Sequence, residues 1–388
     1  MPPTKYQVVS PSAGISCHAW NADKSMLALC ANDNRLQIYE GCHSPNFSSW
    51  RLTHVLEEHD LVISGISWSP VTNKIVTCSH DRNAFVWSYD ASQGKWHPIL
   101  CALMLNRAAL DVHWSPAGTK FAVGSGAKTI AVSRLDRSQG SDWYVSKLIK
   151  GHKSSVQQVA WHPNGLVLAT ACTDFKCRVV SAVVEEVDTN PDPRPFGAVK
   201  PFGEAYHMFS CGGWVTAVAW SPSGSILAYA GQDSTIHFVR FEQGGGVVEQ
   251  RVRYALLPVS TLTFLSEKAV VGGGYDMNPL VFSADSSGKW SFLRRLDEKT
   301  TGATKSAGAV SSMSAARAMF QAKTTRGASA GGAGKDLWTQ HANAIVGTEP
   351  MGRAGDATCS KLSTVGLDGR LVVWEIPTLD IDMQALGL

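Results

Sequence analysis

The sequence lacks the features that mark membrane-spanning, secreted and metal-binding proteins. No apolar run approaches the length of about 18 residues that a membrane-spanning helix needs, and the first residues include no apolar segment of the signal-peptide type. The nine cysteines are odd in number and contain no Cys-x-x-Cys pair, so they indicate neither a disulfide framework nor a zinc site. We therefore expect buried thiols in a cytoplasmic protein.

A strong charge of one sign and catalytic motifs are also missing. The 35 basic and 32 acidic residues leave a formal charge of +3, which is too small an excess to indicate nucleic-acid binding. The chain contains no Gly-x-Ser-x-Gly and no His-Glu-x-x-His motif. Segments 124–129 and 329–335 imitate phosphate-binding loops, but each lacks residues that such a loop requires. The sequence therefore predicts a protein without catalytic residues, metal or cofactor.

What the chain does contain is a repeat of short hydrophobic strands, each with an aromatic marker. The markers are separated by steps of 48, 46, 47, 59 and 44 residues, and they are Trp20, Trp68, Trp114, Trp161, Trp220 and Phe264. Strand repeats of this length are typical of β-propeller blades, each of which is one four-stranded sheet. We predict an all-β fold in which residues 1–388 form a single seven-bladed β-propeller.

The turns inside the repeats resemble those of WD-repeat proteins. An Asp often follows the second strand, where it can bond the turn backbone and orient a His from an earlier loop. His59 and His152 lie where such a partner is expected, although the Trp-Asp dipeptide itself never occurs. We interpret the following residues as structural WD-repeat residues: His59, Asp81, Trp87, His152, Asp174, Asp233, Asp368 and Trp374.

The last repeat lies close to the end of the sequence. We predict the seventh blade at residues 358–376, which leaves too little chain after it to supply an outer strand. A sheet without its outer strand exposes an edge, and exposed edges promote association with other chains. We therefore predict that a strand at residues 6–10 pairs with the last blade and closes the ring.

Two segments interrupt the repeat. Residues 185–209 contain four prolines and so predict an extended loop, which either straps the blade rim or contacts a partner.

Residues 298–344 form an insert between blades six and seven. Within residues 301–335, Gly, Ala and Ser occupy 21 of 35 positions, so most of the insert has too little apolar surface to order itself. We predict a flexible insert.

One stretch of the insert, about residues 312–323, favours a short helix. Met313, Ala316 and Phe320 follow helical spacing and form one apolar stripe. Residues 294–335 also carry a local excess of six positive charges. A helix this short is marginal alone in water, and docking the stripe on an acidic partner would order it. The alternative is a disordered linker with solubilising charge.

Several longer stretches resemble one family. Segments 81–87 (DRNAFVW), 120–126 (KFAVGSG), 174–178 (DFKCR) and 211–215 (CGGWV) are similar to subunit 1 of the actin-related protein 2/3 complex, the assembly that nucleates branched actin filaments. The resemblance runs from about residue 13 to residue 376. It includes the insert, where Ala316, Arg317, Phe320 and Gln321 match the family's Ala-Arg-x-x-Phe-Gln pattern.

The resemblance implies a non-catalytic structural subunit that supports actin filament nucleation and branching. It implies three kinds of partner: the other subunits of the complex, the actin filament, and nucleation-promoting factors with acidic tails. The insert would contact the mother filament through Met313, Ala316, Arg317, Phe320, Gln321 and Lys323. The implied location is the actin cytoskeleton in the cytoplasm, with no nucleic acid and no membrane span. The alternative function is a propeller adaptor for another assembly, for example a ubiquitin ligase.

Overall fold

The chain forms seven four-stranded antiparallel sheets. The computed structural model describes residues 5–44, 47–138, 142–242, 245–297, 339–352 and 356–377. Strand β1 (Lys5–Val9) begins the described chain and belongs to the last sheet. Each of the other six sheets takes four strands that are consecutive in sequence, and this matches the repeat of aromatic markers.

The first three blades follow one another without interruption. Blade one contains β2 (Cys17–Trp20), β3 (Met26–Cys30), β4 (Arg35–Glu40) and β5 (Arg51–Glu57), with a 3-10 turn at Phe47–Ser49. Blade two contains β6 (Ile63–Trp68), β7 (Ile75–Ser79), β8 (Ala84–Asp90) and β9 (Lys95–Cys101). Blade three contains β10 (Ala109–Trp114), β11 (Lys120–Ser125), β12 (Ile130–Asp136) and β13 (Trp143–Ile149).

The remaining blades repeat the pattern until the last. Blade four contains β14 (Val156–Trp161), β15 (Val167–Cys172), β16 (Lys176–Ser181) and β17 (Ala205–Ser210). Blade five contains β18 (Val215–Trp220), β19 (Ile226–Gly231), β20 (Thr235–Phe241) and β21 (Val247–Arg253). Blade six contains β22 (Val259–Ser266), β23 (Ala269–Gly274), β24 (Leu280–Ala284) and β25 (Trp290–Arg295). Blade seven contains β26 (Ile345–Pro350), β27 (Lys361–Gly366), β28 (Leu371–Glu375) and β1.

The sheets close into a ring. The first strands of successive blades contact one another in the order β2, β6, β10, β14, β18, β22 and β26, and β26 contacts β2 again. The predicted seven-bladed propeller is therefore confirmed. Strand β1 pairs antiparallel with β28, with Tyr6 opposite Trp374 and Val9 opposite Leu371, so the predicted closure by the N-terminal strand is also confirmed.

The predicted boundary of the seventh blade was wrong. Its inner strand is β26, which lies outside the predicted range of 358–376. The reason is that β26, with the sequence IVGTEP, carries no aromatic marker. Residues 339–344 also differ from the expected insert, because Thr339 and His341 are buried against the seventh sheet.

Hydrogen bonds from side chains of the inner strands join neighbouring blades around the axis. At four junctions a Ser or Thr hydroxyl at the start of one inner strand donates to the carbonyl of the first residue of the next inner strand. The donor is the second residue of its strand at three junctions and the residue just before the strand at the fourth. These bonds are Ser16 to Ile63 (3.0 Å), Ser64 to Ala109 (2.8 Å), Thr216 to Val259 (2.8 Å) and Ser260 to Ile345 (2.8 Å). The ring is therefore fastened by polar contacts as well as by apolar packing.

The other three junctions use different polar side chains. A carboxylate oxygen of Asp111 accepts from the Val159 amide at 2.9 Å, and the Gln158 side-chain oxygen accepts from the Val218 amide at 2.9 Å. Between blades seven and one, the Trp20 indole donates to the Ser363 hydroxyl at 2.9 Å. Each junction of the ring thus has at least one side-chain hydrogen bond that crosses between sheets.

The proline-containing loop at residues 182–204 packs against the protein. Phe196 is buried, and its ring centroid lies 4.9 Å from that of Phe241 and 5.8 Å from that of Trp220. Of the two predicted alternatives, these contacts favour a loop that straps the blade rim, not one that is free to contact a partner. The last part of the predicted loop is instead strand β17, which completes blade four.

A buried ion pair holds this strap. The Lys120 ammonium, on β11 of blade three, contacts the Asp188 carboxylate and donates to the Ala182 carbonyl at 2.8 Å. Both side chains are less than a tenth exposed. Burial lowers the pKa of the Lys120 ammonium, and Asp188 opposes this shift.

We predict that Lys120→Met lowers the free energy of unfolding by about 3 kcal/mol, because it leaves the Asp188 carboxylate buried without its cation. Urea denaturation followed by tryptophan fluorescence measures the change. The matched control is the double variant Lys120→Met/Asp188→Asn, which removes both charges and should recover part of the loss. If the single variant is as stable as the unmodified protein, the ion pair does not anchor the strap.

All nine cysteines are free thiols, seven of them buried, with Cys17 and Cys211 partly exposed. This confirms the expectation of buried thiols. In the part of the chain that the structure describes, no helix has the length and apolar character needed to cross a membrane.

Candidate protein-binding face

The two ends of the ring differ in the loops they carry. Because paired strands alternate in direction, the loops between successive blades lie at the same end as the loops between the second and third strands of each blade. We call this end the upper face and the other end the lower face. The loop from β25 to β26, which contains the predicted insert, is a connection between blades and so starts and ends on the upper face.

In blade two, the predicted WD-repeat residues form one buried hydrogen-bonded group. His59 Nδ1 lies 2.7 Å from an Asp81 carboxylate oxygen, and His59 Nε2 lies 2.9 Å from the Thr77 hydroxyl. The Trp87 indole donates to the same hydroxyl at 3.0 Å. Burial lowers the pKa of His59 although Asp81 opposes the shift. The group ties a loop of the upper face to the second and third strands.

Blade seven repeats this arrangement with a histidine that the sequence analysis missed. His341 Nδ1 lies 3.3 Å from Asp368, and its Nε2 lies 2.7 Å from the Thr364 hydroxyl. The Trp374 indole donates to Thr364 at 2.9 Å. Both groups share a spacing that could have revealed them: the Thr lies four residues before the Asp and ten before the Trp.

Blade four keeps only part of the group. His152 Nε2 lies 3.1 Å from the Thr170 hydroxyl, but its Nδ1 has no hydrogen-bond partner among the described residues. We expected Asp174 to orient His152, but Asp174 instead accepts two hydrogen bonds from the Arg178 guanidinium, at 3.0 and 2.7 Å. Val180 pairs with Leu168, as Trp87 pairs with Ile75 in blade two, so the tryptophan is absent here.

In blade five the position of the histidine is taken by Cys211, whose thiol lies 3.8 Å from Asp233. The polar atoms of the two complete groups are satisfied by one another, so these groups stabilise loops and present no reactive atom. Among the described residues, no group of three or more His, Cys, Asp or Glu side chains is placed to hold a metal ion.

Large apolar side chains are concentrated on the upper face. In its described loops, seven of them are exposed: Leu61, Met104, Phe175, Trp214, Leu257, Tyr275 and Leu367. On the described part of the lower face, only Val71 and Val199 are comparable. Phe175 holds a positive φ of 66°, and Arg82 and Ser234, which follow the turn aspartates of blades two and five, also hold a positive φ, so this conformation belongs to the repeated turn. Because apolar exposure is unequal between the two ends, we take the upper face as the candidate surface for binding other proteins.

Charges on the upper face are divided between sectors. The loops of blades three and four expose Arg107, Lys128, Lys150 and Lys153. The end of β5 and the loop that enters blade two expose Glu57, Glu58 and Asp60, with the exposed Arg82 in the next upper loop of blade two. The upper face therefore offers a basic and an acidic sector beside its apolar side chains, which is a suitable arrangement for orienting protein partners.

The described residues on either side of the insert are held together. Asp297 is buried, exchanges two hydrogen bonds with Asn278, and accepts from the Gln340 amide at 2.5 Å. Burial raises the pKa of the Asp297 carboxyl. The two flanks therefore meet at one fixed point of the upper face.

The insert residues themselves lie outside the described part of the chain. This applies to the predicted helix at 312–323 and to the six predicted contact residues Met313, Ala316, Arg317, Phe320, Gln321 and Lys323. Their roles stay predictions.

Comparison with known proteins gives the same repeat and a specific family. The family model described as WD domain, G-beta repeat, matches residues 50–88, 143–181 and 203–239. The chain is 43% identical over 375 residues to actin-related protein 2/3 complex subunit 1B of Arabidopsis thaliana, covering 96% of each chain. The chain belongs to the family of actin-related protein 2/3 complex subunit 1.

Members of this family from distant organisms match over nearly their whole length. Identity is 38% to subunit 1A-B of Xenopus laevis, covering 96% of this chain and 97% of the relative. It is 35% to subunit 1 of Schizosaccharomyces pombe, covering 92% of this chain and 96% of the relative. The family resemblance stated from the sequence is therefore confirmed.

Proposed function

We propose that this protein is a non-catalytic structural subunit of an actin-related protein 2/3 complex and supports actin filament nucleation and branching. The observation that carries the proposal is the identity of 43% over 96% of both chains with a relative named as subunit 1 of that complex. Relatives from plants, animals and yeasts bear the same subunit name. The alternative of an adaptor for an unrelated assembly has no comparable support.

The upper face supports a role in assembly. Its exposed Trp214, Tyr275 and Phe175 are the kind of side chain that anchors protein interfaces, because they bury a large area at little entropic cost. The complete polar groups around Thr77 and Thr364 fix the loops that surround them. A rigid ring that presents apolar anchors is suited to binding sister subunits.

Two further partners are part of the proposal. The insert would contact the mother actin filament, and its position is supported by the fixed point at Asp297 and Gln340. Nucleation-promoting factors with acidic tails would contact the basic sector formed by Arg107, Lys128, Lys150 and Lys153. The proposed location is the actin cytoskeleton in the cytoplasm.

Purification from the source cells tests membership of the complex. We expect a tagged full-length chain, expressed at its natural level, to co-purify in fixed stoichiometry with actin-related proteins and the other subunits, as measured by native mass spectrometry. A matched control is the tag on an unrelated propeller. Recovery of the chain only as a monomer, under conditions that preserve other complexes, would refute the proposal.

A further inference from the structure

A cavity of about 320 Å³ runs along the axis of the ring and opens on the upper face. Residues of inner strands from all seven blades contribute to its walls. Its mouth includes Gln157, Thr173, Trp214, Gln232 and Tyr275. The proposed function does not assign a role to this cavity.

Two aromatic rings stand at the mouth without an aromatic partner. Trp214 and Tyr275 are each 49% exposed, and neither ring contacts another aromatic side chain of the described residues. Their backbones are fixed, since the Trp214 carbonyl accepts from the Gln232 amide at 2.9 Å and the Tyr275 amide donates to the Pro258 carbonyl at 3.3 Å. Trp214 directly precedes the inner strand of blade five and Tyr275 directly follows the second strand of blade six, so two positioned rings on neighbouring blades are available to a guest.

Among the described residues, the cavity lining carries carboxyl groups but no permanently charged cation. The chain carries +3 overall, yet the described lining contains the carboxyl side chains Asp111 and Glu349, the imidazoles His18 and His113, and no lysine or arginine. Asp111 is the third residue of β10, about 7 Å below the upper end of that strand at a rise of about 3.3 Å per residue. Its second oxygen lies 3.4 Å from His113 Nε2. A cationic guest that enters from the upper face meets aromatic rings first and a carboxylate next.

We propose that the channel mouth binds the guanidinium group of an arginine side chain presented by a partner protein, stacked on Trp214 and Tyr275 with its charge directed at Asp111. This inference rests on the proposed function in one respect, namely that the arginine belongs to a partner protein. An arginine side chain extends about 7 Å from its Cα when fully stretched, which is comparable with the depth of Asp111 below the upper end of β10.

Arginine suits the site better than other guests. Its planar guanidinium stacks on aromatic faces and is more weakly hydrated than the lysine ammonium, so it loses less on leaving water. The amides of Gln157 and Gln232 and the hydroxyl of Thr173 supply neutral acceptors around the mouth. An anionic guest would face Asp111 without a compensating lysine or arginine in the described lining.

A tripeptide titration of the full-length chain tests the proposal. The probe is N-acetyl-Ala-Arg-Ala-amide, and indole signals in NMR spectra report its binding. We expect saturable binding with a dissociation constant on the order of 1 mM. Replacing the arginine of the probe with citrulline, which has the same shape and no charge, should weaken binding about tenfold, and replacing it with lysine about threefold.

Variants of the chain locate the site. Trp214→Ala and Asp111→Asn should each weaken probe binding about tenfold, and Asn retains an acceptor for the Val159 amide. The matched control is Trp143→Ala, which removes a tryptophan that is 56% exposed on the outer strand of blade three and should leave binding unchanged. Should Asp111→Asn prove unstable, Trp214→Ala and Tyr275→Ala decide the question, because both side chains are half exposed.

The outcomes separate this inference from the proposed function. Equal binding of the arginine and citrulline probes, or no saturation up to about 20 mM probe, overturns the inference even if the chain co-purifies with its sister subunits. Specific binding of the arginine probe by a chain that purifies only as a monomer supports the inference and contradicts the proposed function.

Discussion

Deletion of residues 1–12 is expected to open the ring and to lower the free energy of unfolding by more than about 5 kcal/mol. The deletion removes β1, whose five residues pair with β28. It also removes Val9, which is fully buried, and Tyr6, whose ring centroid lies 5.7 Å from that of Trp374. Ladder hydrogen bonds contribute about 1 kcal/mol each and a buried valine about 2 kcal/mol, so the loss is a large fraction of a typical domain stability.

Urea denaturation followed by tryptophan fluorescence measures this loss, and light scattering measures association. The deleted chain exposes the edge of β28, so we also expect concentration-dependent oligomers. Deletion of residues 1–4 is the matched control, because it stops short of β1 and should leave stability unchanged. A chain without residues 1–12 that stays monomeric and equally stable would show that β1 does not close the ring.

The number of blades could be predicted from the sequence because the inner strands carry their own marker. Trp20, Trp68, Trp114, Trp161 and Trp220 each form the last residue of an inner strand, so strand length and blade spacing are visible together. Blade seven shows the limit of this signal. Its inner strand β26 has no aromatic residue and was missed, whereas its outer strand β1 was predicted, because the last blade without it would leave an exposed edge.

The WD-repeat residues could be predicted only in part. Asp81 and Trp87 were recognised from their turn and strand, but the shared partner Thr77 was missed because threonine is common in strands. Asp174 shows a different limit, since its choice of Arg178 over His152 depends on a side chain four residues later, which β16 places opposite Thr170. The clustering of exposed apolar residues on the upper face could not be predicted, because it depends on which loops meet at one end of the ring.

Replacing Arg317 and Phe320 together with alanine is expected to lower filament branch density at least about tenfold. In the proposed function these side chains supply the charge and the apolar anchor of the contact with the mother filament, and loss of two interface anchors costs at least about 2 kcal/mol. Assembly of the complex should survive, because the insert starts and ends at the fixed point where Asp297 accepts from the Gln340 amide. Arg326→Ala, which removes another positive charge of the insert outside the family pattern, is the matched control.

The role of this protein in branching is tested most directly by counting branches per length of filament. The complexes compared contain either the unmodified chain or Arg317→Ala/Phe320→Ala, after native mass spectrometry has shown equal subunit content. We expect intact complexes, a strong loss of branches for the double variant and little change for Arg326→Ala. Unchanged branch density in intact complexes containing the double variant would contradict this role.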